Sequence, residues 1–159
     1  MVGFPVTPIL DCSMMRLTKK ADYALLAMKC LAEHSEGVSL SAKDIADEYH
    51  IPQQVLAKLL QRLTKAGLLI SHAGTHGGYS LARASDEISA FEVIRAIDGP
   101  LFITSCITVH GECDLTRSCT TKEPLRRVND TIRDVLSAMR LSDLRENDTE
   151  ARRELVSLR

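Results

Sequence analysis

The chain has 159 residues, 45% hydrophobic and 26% charged, with a net charge of −1. That is enough for one globular domain with a real core, and no apolar run approaches the ~20 residues of a membrane span. With three Phe, three Tyr and no Trp, the core must rest on Leu, Ile and Ala, which points to helices. The charge is unevenly spread: nine Lys/Arg against six Asp/Glu from Arg16 to Ala84, and eleven against fourteen from Ser85 to Arg159. Such asymmetry suits a basic binding face joined to a more acidic partner region.

Residues 1–14 contain Pro5 and Pro8 and have no basic residue before their apolar part, so they make a poor export signal. Asp11 argues against a lipoprotein site at Cys12. A disordered extension is expected, with the domain opening at Met15 and the protein residing in the cytoplasm, where thiols stay reduced and can hold metal.

Thr18 is placed to cap a first helix over Ala21–Glu33, with Leu25, Met28, Leu31 and Ala32 on one face and Gly37 as the stop. Ser41 and Asp44 form a capping box for a short second helix ending near Tyr49. After the tight link His50-Ile51, Pro52 suits the first position of a third helix. That helix turns Val55, Leu56, Leu59, Leu60 and Leu63 inward and stops at Gly67. Three such helices, the last two joined by a short turn, make a helix-turn-helix. The outward face of the third bears Gln53, Gln54, Lys58, Gln61, Arg62 and Lys65 and no acid. Gln can bond adenine edges, and Lys can reach guanine or phosphate. Gln53, Gln54 and Lys58, near the helix start, are expected at base edges, and Arg62 and Lys65 at phosphates.

Two short β-prone runs, Leu68–Ser71 and Tyr79–Arg83, flank a Gly-rich turn and form a hairpin, the wing of a winged helix. Its His72, Thr75 and His76 read as polar residues near the DNA backbone rather than as metal ligands. Ser89 and Glu92 make another capping box for a helix with Phe91, Val93, Ile94 and Ile97, closed by Gly99-Pro100. Pro124 then opens a long helix whose Leu125, Val128, Ile132, Val135 and Met139 trace a coiled-coil seam, which favours dimerisation. Leu141–Leu144 suggest a further short turn. The fold expected is mainly α: a winged helix-turn-helix with a small β-hairpin wing and a long C-terminal dimerisation helix. The expected divisions are a DNA-binding unit over 15–84, a cysteine loop and dimerisation helices over 85–144, and a charged tail over 145–159.

Between the last two long helical patterns lies a polar loop carrying Cys106, Cys113 and Cys119, spaced C-x6-C-x5-C. Long loops inside compact domains are usually functional. Three thiolates suit a soft metal: an iron–sulfur cluster, or zinc. Structural zinc sites favour closely spaced cysteine pairs, so the wider gaps favour a cluster. A redox carrier would usually supply four thiolates, and no nucleophile–base pair suggests an enzyme.

Met15-Arg-Leu-Thr-Lys19, Tyr23-Ala, Leu59–Leu68, His76-Gly-Gly-Tyr79 and the three cysteines together resemble the winged-helix iron–sulfur regulators, with IscR-, NsrR- and SUF-operon-type members. The likeness runs roughly from Met15 to Leu144, and Asp98-Gly-Pro and Val128-Asn-Asp look most like the SUF-system type. It implies a homodimer on palindromic double-stranded promoter DNA, controlling iron–sulfur assembly genes or, alternatively, answering nitric oxide or redox change. It also implies a two-iron or four-iron cluster on Cys106, Cys113 and Cys119. Two departures stand out. Ala73 replaces a wing Arg found in many members, and Lys122 replaces the His that serves IscR-type members as fourth ligand. Asp22 matches the acid that NsrR-type members supply from the opposite subunit, and is expected to be the fourth ligand. Glu123 is the next choice, ahead of His110, Glu112 and Asp114.

Overall fold

In a computed structural model, which describes residues 17–34, 38–75, 77–103 and 119–145, the order is α1 (Lys19–Glu33), α2 (Ala42–Tyr49), α3 (Gln53–Lys65), β1 (Leu69–His72), β2 (Gly78–Leu81), α4 (Ala90–Asp98) and α5 (Lys122–Ala138). The mainly α, winged helix-turn-helix class is the one expected, with a two-stranded antiparallel hairpin as wing.

Helix ends follow their capping residues. Thr18 Oγ1 accepts the Ala21 N–H at the start of α1, and the Ser41/Asp44 and Ser89/Glu92 capping boxes are both complete, each satisfying otherwise orphaned N–H groups. Neither proline takes the first helical position expected of it. Pro52 is the N-cap of α3 rather than its first residue, and its carbonyl accepts the Leu56 N–H at 3.0 Å. Pro124 does not open α5, which begins at Lys122. A proline in the first helical turn costs little, because its missing N–H would have had no intrahelical partner.

The turn from α2 to α3 hinges on His50, whose φ of +52° puts it in the left-handed region. That conformation costs a non-glycine residue of order 1–2 kcal/mol. His50 and Ile51 both donate N–H bonds to the Ala46 carbonyl, and Ile51 is buried, which holds the strained residue in place.

The wing pairs Leu69 with Leu81 and His72 with Gly78. A third piece of chain, not foreseen from the sequence, joins its other edge: Leu40 and Tyr79 exchange two backbone bonds of 3.0 and 2.8 Å. Gly78 permits this approach, since a Cβ there would lie 2.4 Å from the Leu40 carbonyl oxygen.

One core joins the helix-turn-helix to α4 and to the chain beyond α5. Met28, Ile45, Leu56, Leu60 and Leu63 pack with Ile88, Val93 and Ile97, and with Leu141. The last part of the described chain returns to the start of α4: Ala90 donates to Met139 at 2.9 Å and Leu141 to Ile88 at 3.0 Å. Residues 141–145 form the short helical turn expected there. α5 itself buries only Asn129, whose Oδ1 accepts the Ile103 N–H at 3.1 Å.

Candidate nucleic-acid interface and cysteine loop

Leu56, Leu59, Leu60 and Leu63 bury one face of α3, and that periodicity forces the opposite face outward. Gln53, Gln54, Lys58, Gln61, Arg62 and Lys65 are all exposed on it. Lys58 and Lys65 have no carboxylate partner among the described residues. Arg62, expected at phosphate, is exposed and also makes a bond within the chain. Its Nη1 donates to the carbonyl of Ile97 at 3.1 Å, where the last turn of α4 offers an unpaired C=O. In the wing, His72 Nε2 lies 2.7 Å from Ser80 Oγ across the hairpin, and Thr75 is exposed at the tip. His76 lies outside the described residues.

Cys106 and Cys113 also lie outside the described residues, with His110, Glu112 and Asp114. Cys119 is half-buried just before α5, its Sγ 3.3 Å from Thr121 Oγ1. That hydroxyl, then the backbone N–H groups of Thr121 and Lys122, hold the thiol below its ordinary value. A cysteine whose thiol is held down in this way beside a helix N-terminus is a fit donor for a soft metal. Among the described residues no three His, Cys, Asp or Glu side chains gather into a metal site.

The two carboxylates weighed as fourth donor differ in availability. Asp22 is exposed on the first turn of α1, and its carboxylate makes no hydrogen bond or ion pair with a described residue. Glu123 is engaged by Arg126 through two bonds of 3.0 and 3.1 Å and by Arg127 at 3.5 Å. The Arg126 bond, chiefly, lowers its carboxyl below the usual range.

Cys30, which no motif singled out, is fully buried and donates its S–H to Glu48 Oε2 at 3.2 Å. Burial first, and then Glu48, push its pKa up to about 12. It therefore stays a thiol and is a poor ligand. Its place on the buried side of α1, one turn before His34, was the only trace of this in the sequence. Another contact had no sequence trace: Thr18 Oγ1 donates to Asp98 Oδ1 at 2.6 Å, tying the start of α1 to the end of α4. Among the described residues no helix is long and apolar enough to cross a membrane.

A family model described as Rrf2, "Iron-dependent Transcriptional regulator", matches residues 17–147. An HTH-type transcriptional regulator of Mycobacterium tuberculosis is 45% identical over 87 residues, 55% of this chain and about half (54%) of that protein. The HTH-type transcriptional regulator IscR of Erwinia tasmaniensis is 36% identical over 84% of this chain and 80% of its own. Among solved structures, CymR, the global cysteine regulator of B. subtilis, superposes with a TM-score of 0.69 at 29% identity, covering 84% of this chain and 98% of that one. T. potens IscR gives 0.67 at 29% identity, over 86% and 90%.

Proposed function

The chain belongs to the Rrf2 family of transcriptional regulators, and from that premise we propose a homodimeric, cytoplasmic DNA-binding regulator that carries an iron–sulfur cluster and controls iron–sulfur assembly genes. DNA reading rests on the exposed, acid-free face of α3 beside the hairpin. Gln53, Gln54 and Lys58 meet base edges in the major groove, while Arg62, Lys65 and the wing residues His72, Thr75 and His76 meet the backbone.

The dimer reading is supported by α5. Its seam residues Val128 and Val135 are 48% and 58% exposed, and Leu125, Ile132 and Met139 are only partly covered. A helix with an uncovered apolar seam gains by pairing with a second copy.

Cys106, Cys113 and Cys119 are the proposed cluster ligands, with Asp22 of the opposite subunit as the fourth. The chemistry of the donors fits: the Cys119 thiol is held below its ordinary value, and Asp22 has no partner among the described residues while Glu123 is held by two arginines. When bound, such a cluster supplies a centre whose loss or change of charge the surrounding chain can feel. A carboxylate is a harder and more labile donor than thiolate, as a sensor requires. The likeness to CymR, a cysteine regulator by description, favours a second reading in which the chain answers a small thiol metabolite or oxidant without a cluster.

Anaerobically purified protein separates the two. The first reading expects visible absorption that is lost in Cys113→Ser with the dimer intact; the second expects a colourless protein. For the DNA part, Gln54→Ala is expected to relax base preference at one position, at a cost of ~1–3 kcal/mol, while Lys65→Ala weakens all duplexes alike. Unchanged preference in Gln54→Ala would contradict the docking.

A further inference from the structure

We propose that the groove between the first turn of α1 and α3 is a phosphate channel for the duplex backbone, with Lys20 as a DNA contact from α1. This rests on the DNA-binding reading and adds to it a second helix and a residue outside the recognition face. The groove is lined by Lys20, Gln54, Val55, Lys58, Leu59 and Arg62. Three of these carry positive charge and none is acidic, so the lining complements a chain of phosphates.

The three cations are differently prepared. Lys20 and Lys58 are exposed and have no carboxylate partner among the described residues. Arg62 is pre-oriented, since the Ile97 carbonyl takes one of its donors and leaves the others of the fork. A neutral carbonyl does not cancel its charge. Val55 and Leu59 contribute apolar surface beside the cations, which lowers the local dielectric and strengthens attraction to an anion.

The neighbours of Lys20 on α1 do not share its place. Lys19 lies over the Tyr23 ring at 5.8 Å, a cation–π contact. Asp22, two residues on, points about 160° away around the helix at 100° per residue, and is not among the lining residues. Asp98, which takes the Thr18 N–H and hydroxyl, is likewise not among them.

The occupant is duplex DNA because Gln54 and Lys58 belong both to this groove and to the face that reads bases. A strand following the groove would therefore be the one bordering the major groove that α3 enters. A backbone contact carries charge but no sequence information. Lys20 should thus set affinity and its salt dependence, not preference.

The test uses the full-length protein and a duplex that the wild type selects from a randomised pool, with a scrambled duplex alongside, both read by fluorescence anisotropy across a salt series. Lys20→Gln is expected to weaken both duplexes by similar factors. It should flatten the slope of log affinity against log salt by about 0.9 for each phosphate no longer neutralised. The ratio between the two duplexes should stay the same. Lys19→Gln, one residue away, should leave the slope at the wild-type value. An unchanged slope in Lys20→Gln, the same loss in Lys19→Gln, or a changed ratio between the duplexes would overturn the proposal. If the wild type selects no sequence and binds without salt dependence, the DNA-binding reading itself falls, and the groove with it. Lys20 is exposed, so matching thermal melts are expected to show that the variant is folded.

Discussion

Arg62 Nη1 donates to the main-chain carbonyl of Ile97 at 3.1 Å, bonding α3 to the last turn of α4. The bond gives Arg62 a stabilising role that a surface phosphate contact lacks. Charge-assisted hydrogen bonds contribute ~1.5–3 kcal/mol, and solvent exposure of the guanidinium puts this one at or below the lower end. Arg62→Ala is expected to lose about 1 kcal/mol in urea denaturation, while Lys65→Ala, at a side chain with no bond to another described residue, changes stability by less than ~0.5 kcal/mol. Equal, negligible losses in both would mean that the bond to Ile97 contributes nothing.

Gly78→Ala is expected to detach Leu40 from the wing. The added methyl would sit 2.4 Å from the Leu40 carbonyl oxygen and 2.6 Å from its carbon, a clash that only backbone movement relieves. The expected cost is ~1–3 kcal/mol, the range for forced overpacking. Amide exchange should accelerate at Leu40 and Tyr79, whose mutual bonds would break. A variant with wild-type stability and protected Leu40 and Tyr79 amides would show that the wing tolerates the bulk.

Gly78 also marks the limit of what the sequence discloses. Local rules carried most of the fold: Thr18, Ser41 and Ser89 announce helix starts, and the leucines of α3 fix which side faces out. The Leu40–Tyr79 pairing joins segments far apart in the chain and leaves no periodicity. Arg62 shows the same limit at the site. Its position on the outer face was legible, but the carbonyl that captures its guanidinium belongs to a helix thirty-five residues on. The left-handed His50 was hidden for another reason: glycine is the usual residue in that conformation, and here burial of Ile51 holds a histidine in it.

The Ser89–Glu92 box gives stability a pH dependence. Burial alone would raise the Glu92 carboxyl, but bonds from the Ser89 N–H and hydroxyl and from Arg83, at 2.7 Å, outweigh it and hold the pKa below its ordinary 4.5. A group depressed on folding stabilises the protein above its unfolded value, and that contribution fades as pH falls through the folded value. The stability gap between wild type and Glu92→Gln, from denaturant melts, should therefore be full at neutral pH and shrink below about 4.5. A gap that is constant with pH would exclude the ionised carboxylate as its source.

Thiol labelling should divide the cysteines. Cys30, buried and hydrogen-bonded to Glu48, should resist alkylation at mildly alkaline pH until the protein is unfolded. Cys119, partly exposed, should react in the folded cluster-free protein. Cys30→Ala should keep any visible absorption that Cys113→Ser loses. Fast labelling of Cys30 in the folded state would contradict its burial.

The proposed regulator carries its cluster as a sensor, so cluster state should set DNA affinity, and one titration tests this most directly. Anaerobically purified wild-type protein is titrated against its selected duplex by anisotropy at fixed salt, before and after the bound iron is stripped with a chelator. A coloured protein is expected, whose affinity changes at least tenfold, about 1.4 kcal/mol, as the colour disappears. A colourless preparation, or a coloured one whose affinity is the same before and after stripping, would contradict it.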